Sequence, residues 1–264
     1  MSQITLKPNE KAIEFVVSES GQKAWANKSN ICVYGGPAGT GKTRTWCERL
    51  NALAAWYPGV RFLMARQFRS TMTSTCMETF KKEVLKPEDE VRWNGQDQKW
   101  IYPYRKREDK KYKRVFEGVS EIWVSGLDDM TKAMSSQYDI IYVNEITDIL
   151  KPQLEYLVTR NRNRIQSGMP WNQLIGDFNP VHPGHWLKTE TDLGNIDLIW
   201  STHKDNPRLW NIKCAKCGVF RGELHDDTHE FVLGTPDWTE EGYDYIFNKL
   251  GVLTGARRAR LLEG

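Results

Sequence analysis

The sequence predicts an α/β fold, with a mostly parallel central sheet flanked by helices and a small C-terminal lid or linker subdomain. Strand-like apolar runs alternate with helix-like segments through most of the chain before Pro207, and this alternation is typical of a parallel sheet covered on both faces. A glycine-rich turn also joins the first predicted strand directly to a long helical segment. Because the alternation weakens from about Pro207, we expect residues 1–206 to form the core and residues 207–264 the lid or linker.

Each element follows from its local pattern. Apolar runs of strand length predict strands over residues 31–34, 60–65, 99–102, 115–117, 121–124, 140–143, 173–176 and 197–201. Longer segments with few helix breakers predict helices over 42–56, 70–85, 152–164, 185–191 and 239–249, with another near 257–262. Ligands of open parallel sheets bind at the carboxyl ends of the strands, so we expect the functional residues there.

The turn after the first strand carries the strongest motif of the chain. Residues 36–43 read G-P-A-G-T-G-K-T, a full match to the phosphate-binding pattern G-x-x-x-x-G-K-[ST]. Lys42 would contact the β- and γ-phosphates of a nucleotide, and the Thr43 hydroxyl would bind Mg²⁺. The remaining nucleotide-binding positions of this P-loop are Gly36, Pro37, Ala38, Gly39, Thr40 and Gly41. The motif predicts a nucleoside triphosphate-binding core; a glycine-rich turn without a ligand is the disfavoured alternative.

A second strand that ends in polar residues predicts the hydrolytic half of the site. Residues 138–145 read Y-D-I-I-Y-V-N-E, and Glu145 is placed to orient and activate the attacking water. Asn144 stands where the hydrolytic P-loop proteins have an acid; its amide can hold a metal-bound water but adds no negative charge. A satisfied polar pair at a strand end is the alternative. Asn179, in D-F-N-P, is predicted to sense the γ-phosphate, although Asn-Pro is also a common turn.

Charge is concentrated in one segment. The chain has a net charge of only +3, but residues 105–114 read R-K-R-E-D-K-K-Y-K-R between W-I-Y-P-Y and V-F-E-G. Since both flanks resemble strands, we interpret the basic run as the tip of a hairpin. It would contact DNA phosphates without reading sequence, or it is a solvated hairpin end; the sequence favours neither.

Composition narrows the location of the protein. No run approaches eighteen apolar residues, so no transmembrane helix is expected. The N-terminus M-S-Q-I-T-L-K-P does not have the pattern of a secretory signal. Five cysteines without an export signal predict a reducing cytosolic compartment.

Four potential zinc ligands occur in the C-terminal part. They form the pattern C-x2-C-x7-H-x3-H and are Cys214, Cys217, His225 and His229. The seven-residue middle is shorter than the usual finger spacing, so a polar loop with free thiols is favoured over a structural zinc site.

The order of these motifs resembles the ATPase domain of the large terminase subunit of tailed bacteriophages, the motor that packages DNA into procapsids. The similar segments are G-G-P-A-G-T-G-K-T, V-R-F-L-M-A-R-Q-F-R-S, V-S-G-L-D-D-M-T-K-A-M-S, Y-V-N-E-I-T-D and D-F-N-P, then T-H-K-D-N-P and Y-I-F-N-K-L-G-V-L-T-G-A-R-R-A-R-L-L-E-G. The resemblance covers most of residues 20–264. The resemblance implies a Mg²⁺-dependent ATPase in the cytoplasm of the bacterial host that translocates double-stranded DNA. It also implies a homo-oligomeric ring, with a portal protein and the small terminase subunit as partners and no membrane.

The resemblance also implies roles for single residues. Gln22, in S-G-Q-K-A-W, is similar to the family's adenine-reading glutamine. Family motors use an arginine finger to stabilise charge on the transferring phosphoryl group. Arg66, Arg69 and Lys132 are the candidates for this role, and ordinary surface ion pairing is the alternative for each. The chain stops near Gly264, where the family continues into a nuclease, so we expect the nuclease domain to be absent and no DNA cleavage.

Other functions compete with this interpretation. A helicase-like DNA translocase is the nearest alternative, since it shares the ATPase motifs. A P-loop kinase is disfavoured because a kinase must exclude water, whereas Glu145 would activate it. A signalling GTPase is disfavoured because the sequence lacks the N-K-x-D segment that reads guanine. A nucleotide-bound protein without efficient turnover would result if Asn144 abolishes hydrolysis.

Overall fold

Two sheets form the frame of the part of the chain that the computed structural model describes, which comprises residues 18–109, 113–131, 136–162, 168–210 and 238–263. The strands are β1 Ile31–Gly35, β2 Arg61–Arg66, β3 Arg92–Asn94, β4 Lys99–Ile101, β5 Arg105–Asp109, β6 Arg114–Gly118, β7 Glu121–Gly126, β8 Ile140–Val143, β9 Gln173–Phe178 and β10 Asp197–Trp200. Eight of them form one sheet in the order β10-β1-β9-β8-β2-β7-β4-β3. This sheet is parallel from β10 to β7 and antiparallel at β4 and β3. The predicted α/β fold with a mostly parallel sheet is confirmed.

Helices flank this sheet. They are α1 Glu19–Ala26, α2 Lys42–Trp56, α3 Arg69–Met72, α4 Cys76–Thr79, α5 Lys151–Arg160, α6 Trp186–Asp192, α7 Glu240–Tyr243 and α8 Gly255–Arg258. A π-helical turn extends α4 through Phe80–Val84, α7 through Asp244–Leu250 and α8 through Ala259–Glu263. Short 3₁₀ turns lie at Pro87–Asp89, Ile146–Asp148 and His203–Asp205. None of the helices described is long and apolar enough to cross a membrane.

Apolar side chains fill both faces of the sheet. Successive residues of a strand point to opposite faces, and the buried residues accordingly divide into two clusters. One cluster joins Trp46 of α2 to Phe62 of β2, and the other joins Leu157 of α5 to Leu63 of β2 and Val33 of β1. Strands β8 and β9 are buried along their whole length, as expected for central strands of a parallel sheet.

The structure corrects three of the predicted elements. The basic run is not only a hairpin tip, because residues 105–109 are themselves strand β5, paired with β6 in a separate ribbon. The preceding strand β4 joins the main sheet beside β7 instead. The helix predicted over 70–85 is interrupted after α3, where the Thr75 hydroxyl donates to the carbonyl of Thr71 at 2.8 Å. The helix predicted over 152–164 ends at Arg160, because Asn161 is extended and forms a bridge with Tyr138.

Strand order brings three loops together at one edge of the sheet. Strand β9 follows β1 and β8 in the chain but lies between them. Its Asp177 is paired with Tyr34 of β1, and its Gly176 with Val143 of β8. The residues that follow β1, β8 and β9 are therefore neighbours, as the carboxyl ends of parallel strands must be. The proposed division of the chain at residue 206 stays a prediction.

Candidate nucleotide-binding site

The P-loop has a backbone that requires glycine. Gly36, Gly39 and Gly41 have φ values of 144°, 79° and 89°, in the region that side chains disfavour. A Cβ at Gly36 would also lie 2.3 Å from the carbonyl oxygen of Ser201. Gly41 is the N-cap of α2, which begins at Lys42. The P-loop therefore places its N–H groups at the positive end of a fifteen-residue helix, an arrangement that binds phosphate.

Lys42 lies folded into this loop. Its Nζ donates to the carbonyls of Gly36 at 2.8 Å and Pro37 at 2.6 Å, and it lies 3.3 Å from Oδ1 of Asn179. The residue is only 7% exposed, and burial lowers its pKa to about 8. A buried ammonium with neutral carbonyl partners is poorly compensated, so an anion in the loop would be strongly attracted to it.

The outer side of the loop is fixed by residues that sequence reasoning did not single out. His203 Nε2 lies 2.9 Å from the carbonyl of Ala38, and Asn206 Nδ2 donates to the carbonyl of Gly39 at 2.6 Å. Both belong to the segment T-H-K-D-N-P after β10. Burial lowers the pKa of His203, which favours its neutral form. These contacts satisfy two carbonyl oxygens and hold the outer side of the loop in place.

A buried polar cluster lies beneath Thr43. Asp177, only 2% exposed, accepts hydrogen bonds from the Thr43 hydroxyl at 2.5 Å and the Tyr142 hydroxyl at 2.8 Å. Asn144, which the sequence predicts near the metal, donates its Nδ2 to Asp177 Oδ1 at 2.9 Å. Sequence reasoning missed Asp177 because only strand register reveals that it is the neighbour of Asn144.

Glu145 lies at the mouth of this cluster in a left-handed conformation, with φ 51° and ψ 59°. Its N–H donates to Asp177 Oδ1 at 2.8 Å, and its Oε1 accepts from Nδ2 of Asn179 at 3.1 Å. Burial, together with the negative charge of Asp177, raises the pKa of the Glu145 carboxyl to about 7. A proton acceptor with such a pKa suits general-base chemistry near neutral pH.

The structure distinguishes the two candidate arginines at the end of β2, where Arg66 is the last residue of the strand and Arg69 begins α3. Arg66 reaches the site: its guanidinium donates to Asn144 Oδ1 at 3.4 Å and lies 3.6 Å from Asp148 Oδ2. Arg69 instead contacts Thr73 and Gln98, and Gln98 is next to strand β4 of the antiparallel end. Of these two candidates, Arg66 is the one beside the predicted catalytic residues.

The fold matches solved structures of large terminases over nearly the whole chain. The large terminase of a thermophilic bacteriophage in complex with ADP matches with a TM-score of 0.63 and 13% identity, covering 97% of this chain and 52% of that one. The complex of the same terminase with ATP-gamma-S gives a TM-score of 0.56 and 13% identity, with coverages of 94% and 52%. The HK97 bacteriophage large terminase gives 0.54 and 12%, with coverages of 96% and 49%. The chain has the large-terminase fold.

The large-terminase fold agrees with the resemblance drawn from the motifs. Sequence identities of 12% and 13% are too low to show more than the fold. The chain spans about half the length of these large terminases, at 52% and 49%. No protein-family model matches the chain, and no curated protein matches its sequence.

Several positions that the sequence singles out stay predictions. Gln22 is exposed on α1, a helix that contacts the 3₁₀ turn His203–Asp205 next to the P-loop. Lys132 and the zinc-type ligands Cys214, Cys217, His225 and His229 lie outside the described residues.

Proposed function

We propose that this chain is an ATP-hydrolysing motor that translocates double-stranded viral DNA into a procapsid. The observation that supports hydrolysis best is the connection from Lys42 through Asn179 to Glu145. The Asn179 amide lies 3.3 Å from the lysine Nζ and 3.1 Å from the glutamate Oε1. The Asn179 side chain therefore contacts both Lys42, the proposed phosphate ligand, and Glu145, the proposed proton acceptor, as we expect of a residue that senses the γ-phosphate.

The P-loop would bind the triphosphate. Phosphate oxygens would replace the carbonyl groups that now accept from Lys42 Nζ, with the stronger charge-assisted bond as the driving force. The residues at the metal position fit Mg²⁺. The Thr43 hydroxyl donates a hydrogen bond to Asp177, so the lone pairs of its oxygen can bind a cation. Thr43 would hold Mg²⁺ directly and Asn144 through water, and the ion would neutralise phosphate charge.

Glu145 would act on the water. Its carboxylate accepts a proton from the water while the water oxygen bonds to the γ-phosphorus. The bond from that phosphorus to the β-phosphate oxygen breaks, which gives ADP and inorganic phosphate. Asn179 holds one oxygen of the carboxylate, so the other is available to the water. Arg66 would stabilise the charge that develops on the transferring group.

The motor part of the proposal rests on the large-terminase fold and on the motif order. A homo-oligomeric ring around duplex DNA, with a portal protein and a small terminase subunit as partners, would convert turnover into translocation. The ribbon of β5 and β6 carries exposed basic residues, among them Arg105, Lys106 and Arg114, and it is our candidate for DNA contact.

Steady-state ATP turnover with Mg²⁺, with and without linear duplex DNA, tests the proposal. We expect Glu145→Gln to lower turnover by about 100-fold or more, because the general base is removed, and to leave ATP binding intact. Glu155→Gln on the exposed face of α5 makes the same chemical change away from the site and should have no effect. DNA should raise turnover of the unsubstituted protein.

The outcomes separate the competing functions. ATP binding without turnover would contradict the hydrolase and favour the nucleotide-bound protein without efficient hydrolysis. Turnover that ignores DNA would contradict the motor as an isolated chain. Unwinding of a forked duplex would identify a helicase-like translocase instead.

A further inference from the structure

The position that usually supplies negative charge near the metal is neutral in this chain. Asn144 directly follows strand β8, and its neutral amide cannot balance the charge of a divalent cation. The neighbouring strand β9 carries a carboxylate at the same level, however. Val143 is paired with Gly176, so Asn144 stands beside Asp177, and their side chains are joined at 2.9 Å.

Asp177 is surrounded by hydrogen-bond donors. The Thr43 hydroxyl, the Tyr142 hydroxyl, the Asn144 amide and the Glu145 N–H all point to its two oxygens. An acceptor-only group is what this environment requires, and an ionised carboxylate is such a group. Its Oδ2 accepts from Thr43, the predicted metal ligand, and its Oδ1 accepts from the backbone of Glu145.

The contact with Thr43 bears on metal binding, and the contact with Glu145 bears on the position of the proposed general base. Because the Thr43 hydroxyl donates its hydrogen bond to Asp177, the lone pairs of the Thr43 oxygen face away from Asp177 and can bind a cation. Because the Glu145 N–H is committed to Oδ1, the left-handed turn at Glu145 is held in place; a non-glycine residue adopts this conformation only with support from its surroundings. One carboxylate therefore contacts both halves of the site.

We propose that Asp177 replaces the missing acid of strand β8, providing the negative charge for Mg²⁺ through Thr43 and positioning Glu145 through its backbone N–H. The proposal rests on the proposed ATPase function and adds a residue to it. In this arrangement the acid lies on β9, the strand adjacent to β8, and it contacts the P-loop residue Thr43.

A second buried aspartate provides the matched control. Asp139 is fully buried immediately before β8, and its Oδ2 accepts from the N–H of Arg61 at 2.9 Å. It lies at the amino end of the same sheet, away from the P-loop. Asp139→Asn therefore removes a buried carboxylate without touching the proposed site.

The experiment measures the affinity for the non-hydrolysable analogue AMP-PNP by calorimetry, once with MgCl₂ and once with EDTA. In Asp177→Asn we expect the gain in affinity caused by Mg²⁺ to shrink by about 10-fold or more, the range found for residues that support metal ligands. Affinity in EDTA should change little, because the P-loop is intact. Asp139→Asn should keep the full Mg²⁺ gain.

The exchange Asn144→Asp with Asp177→Asn tests charge directly. It returns the carboxylate to β8 and keeps one acid and one amide in the pair, so the Mg²⁺ gain should recover to within about threefold of the unsubstituted chain. The exchanged protein also decides the matter if Asp177→Asn alone does not fold. An unchanged Mg²⁺ gain in folded Asp177→Asn, or a folded exchange variant without that gain, would overturn the proposal. If the unsubstituted chain does not bind AMP-PNP at all, the ATPase proposal fails instead.

Discussion

At the carboxyl ends of the parallel strands, polar side chains are buried and connected, whereas most charged side chains of the antiparallel ribbon β5–β6 are exposed. Asn144 and Asp177 are 3% and 2% exposed, and Nδ2 of Asn144 donates to both carboxylate oxygens of Asp177. On the ribbon, Lys106 and Glu117 are 3.7 Å apart with more than half of each side chain exposed. Exposed pairs of this kind contribute little to stability. The first region holds its polar groups in fixed positions, whereas the second presents its charged side chains to solvent.

Arg66, the last residue of β2, contacts the buried polar side chains, whereas Arg69 is directed toward Gln98 beside β4. Substituting these two arginines gives the largest expected effect. Arg66→Ala should lower ATP turnover by about 100-fold, because a preorganised cation beside the reacting phosphate is lost. Its positive charge also lowers the pKa of Glu145, so the acidic limb of the pH–rate profile should move to higher pH. Steady-state turnover from pH 5.5 to 9 measures both effects.

Arg69→Ala is the matched control for that experiment. Arg69 contacts Thr73 and Gln98, so turnover should stay within about threefold of the unsubstituted protein. Equal losses of turnover in Arg66→Ala and Arg69→Ala would contradict the assignment of Arg66, and not Arg69, to the buried site.

Glu145 gives the next effect, on stability. The pKa of its carboxyl is about 7 in the folded protein, against an ordinary value of 4.5. Between these values the folded state holds a proton that the unfolded state has lost, so the free energy of unfolding falls as pH rises from 4.5 to 7. Glu145→Gln removes this penalty and should stabilise the protein by about 2 kcal/mol at pH 8 and very little at pH 4.5.

Urea unfolding at the two pH values measures this difference. Glu117→Gln makes the same chemical change at a side chain of the ribbon that is 51% exposed, so its effect on stability should be small at both pH values. A pH-independent effect of Glu145→Gln would contradict the assigned burial of its carboxyl.

Local patterns were sufficient for the elements whose signals lie within a few residues. Helix α2 was predicted with its observed bounds because glycine stands before it and apolar residues follow. The turn at Thr75 was missed because its cause is a hydroxyl that bonds back to Thr71, which competes with the helical pattern of residues 70–85. Strand β5 was missed because all five of its residues, R-K-R-E-D, are charged, so it lacks the apolar residues that would predict a strand paired with β6.

The site was predictable only in part, for a similar reason. Lys42 begins a recognisable helix, and Glu145 and Asn179 follow recognisable strands closely. The structure brings the three together. Asp177 has no local signal of its own. Its neighbours come from α2 and β8, so its importance depends on which strands are adjacent and in which register. That information is not local in the sequence.

The smallest effect on ATP turnover is expected from the ribbon. Combined Arg105→Ala, Lys106→Ala and Arg114→Ala should leave DNA-free turnover unchanged, because these exposed side chains lie on the ribbon, separate from the buried site. DNA affinity should fall, and the dependence of log affinity on log salt should lose about one unit of slope for each phosphate contact removed. Titrations of duplex DNA at several salt concentrations measure that slope.

Substituting Arg107 distinguishes the effect of packing from the effect of charge within the same ribbon. Its guanidinium lies 5.2 Å from the ring of Trp56 and 4.8 Å from that of Tyr57, so it anchors the ribbon to the end of α2. Arg107→Ala should therefore cost about 1 kcal/mol of stability and leave the salt slope unchanged. If the triple variant also keeps its slope, the ribbon is a solvated hairpin, and the DNA-contacting surface lies elsewhere. If only the triple variant loses slope, the exposed charges bind phosphate while Arg107 holds them in place.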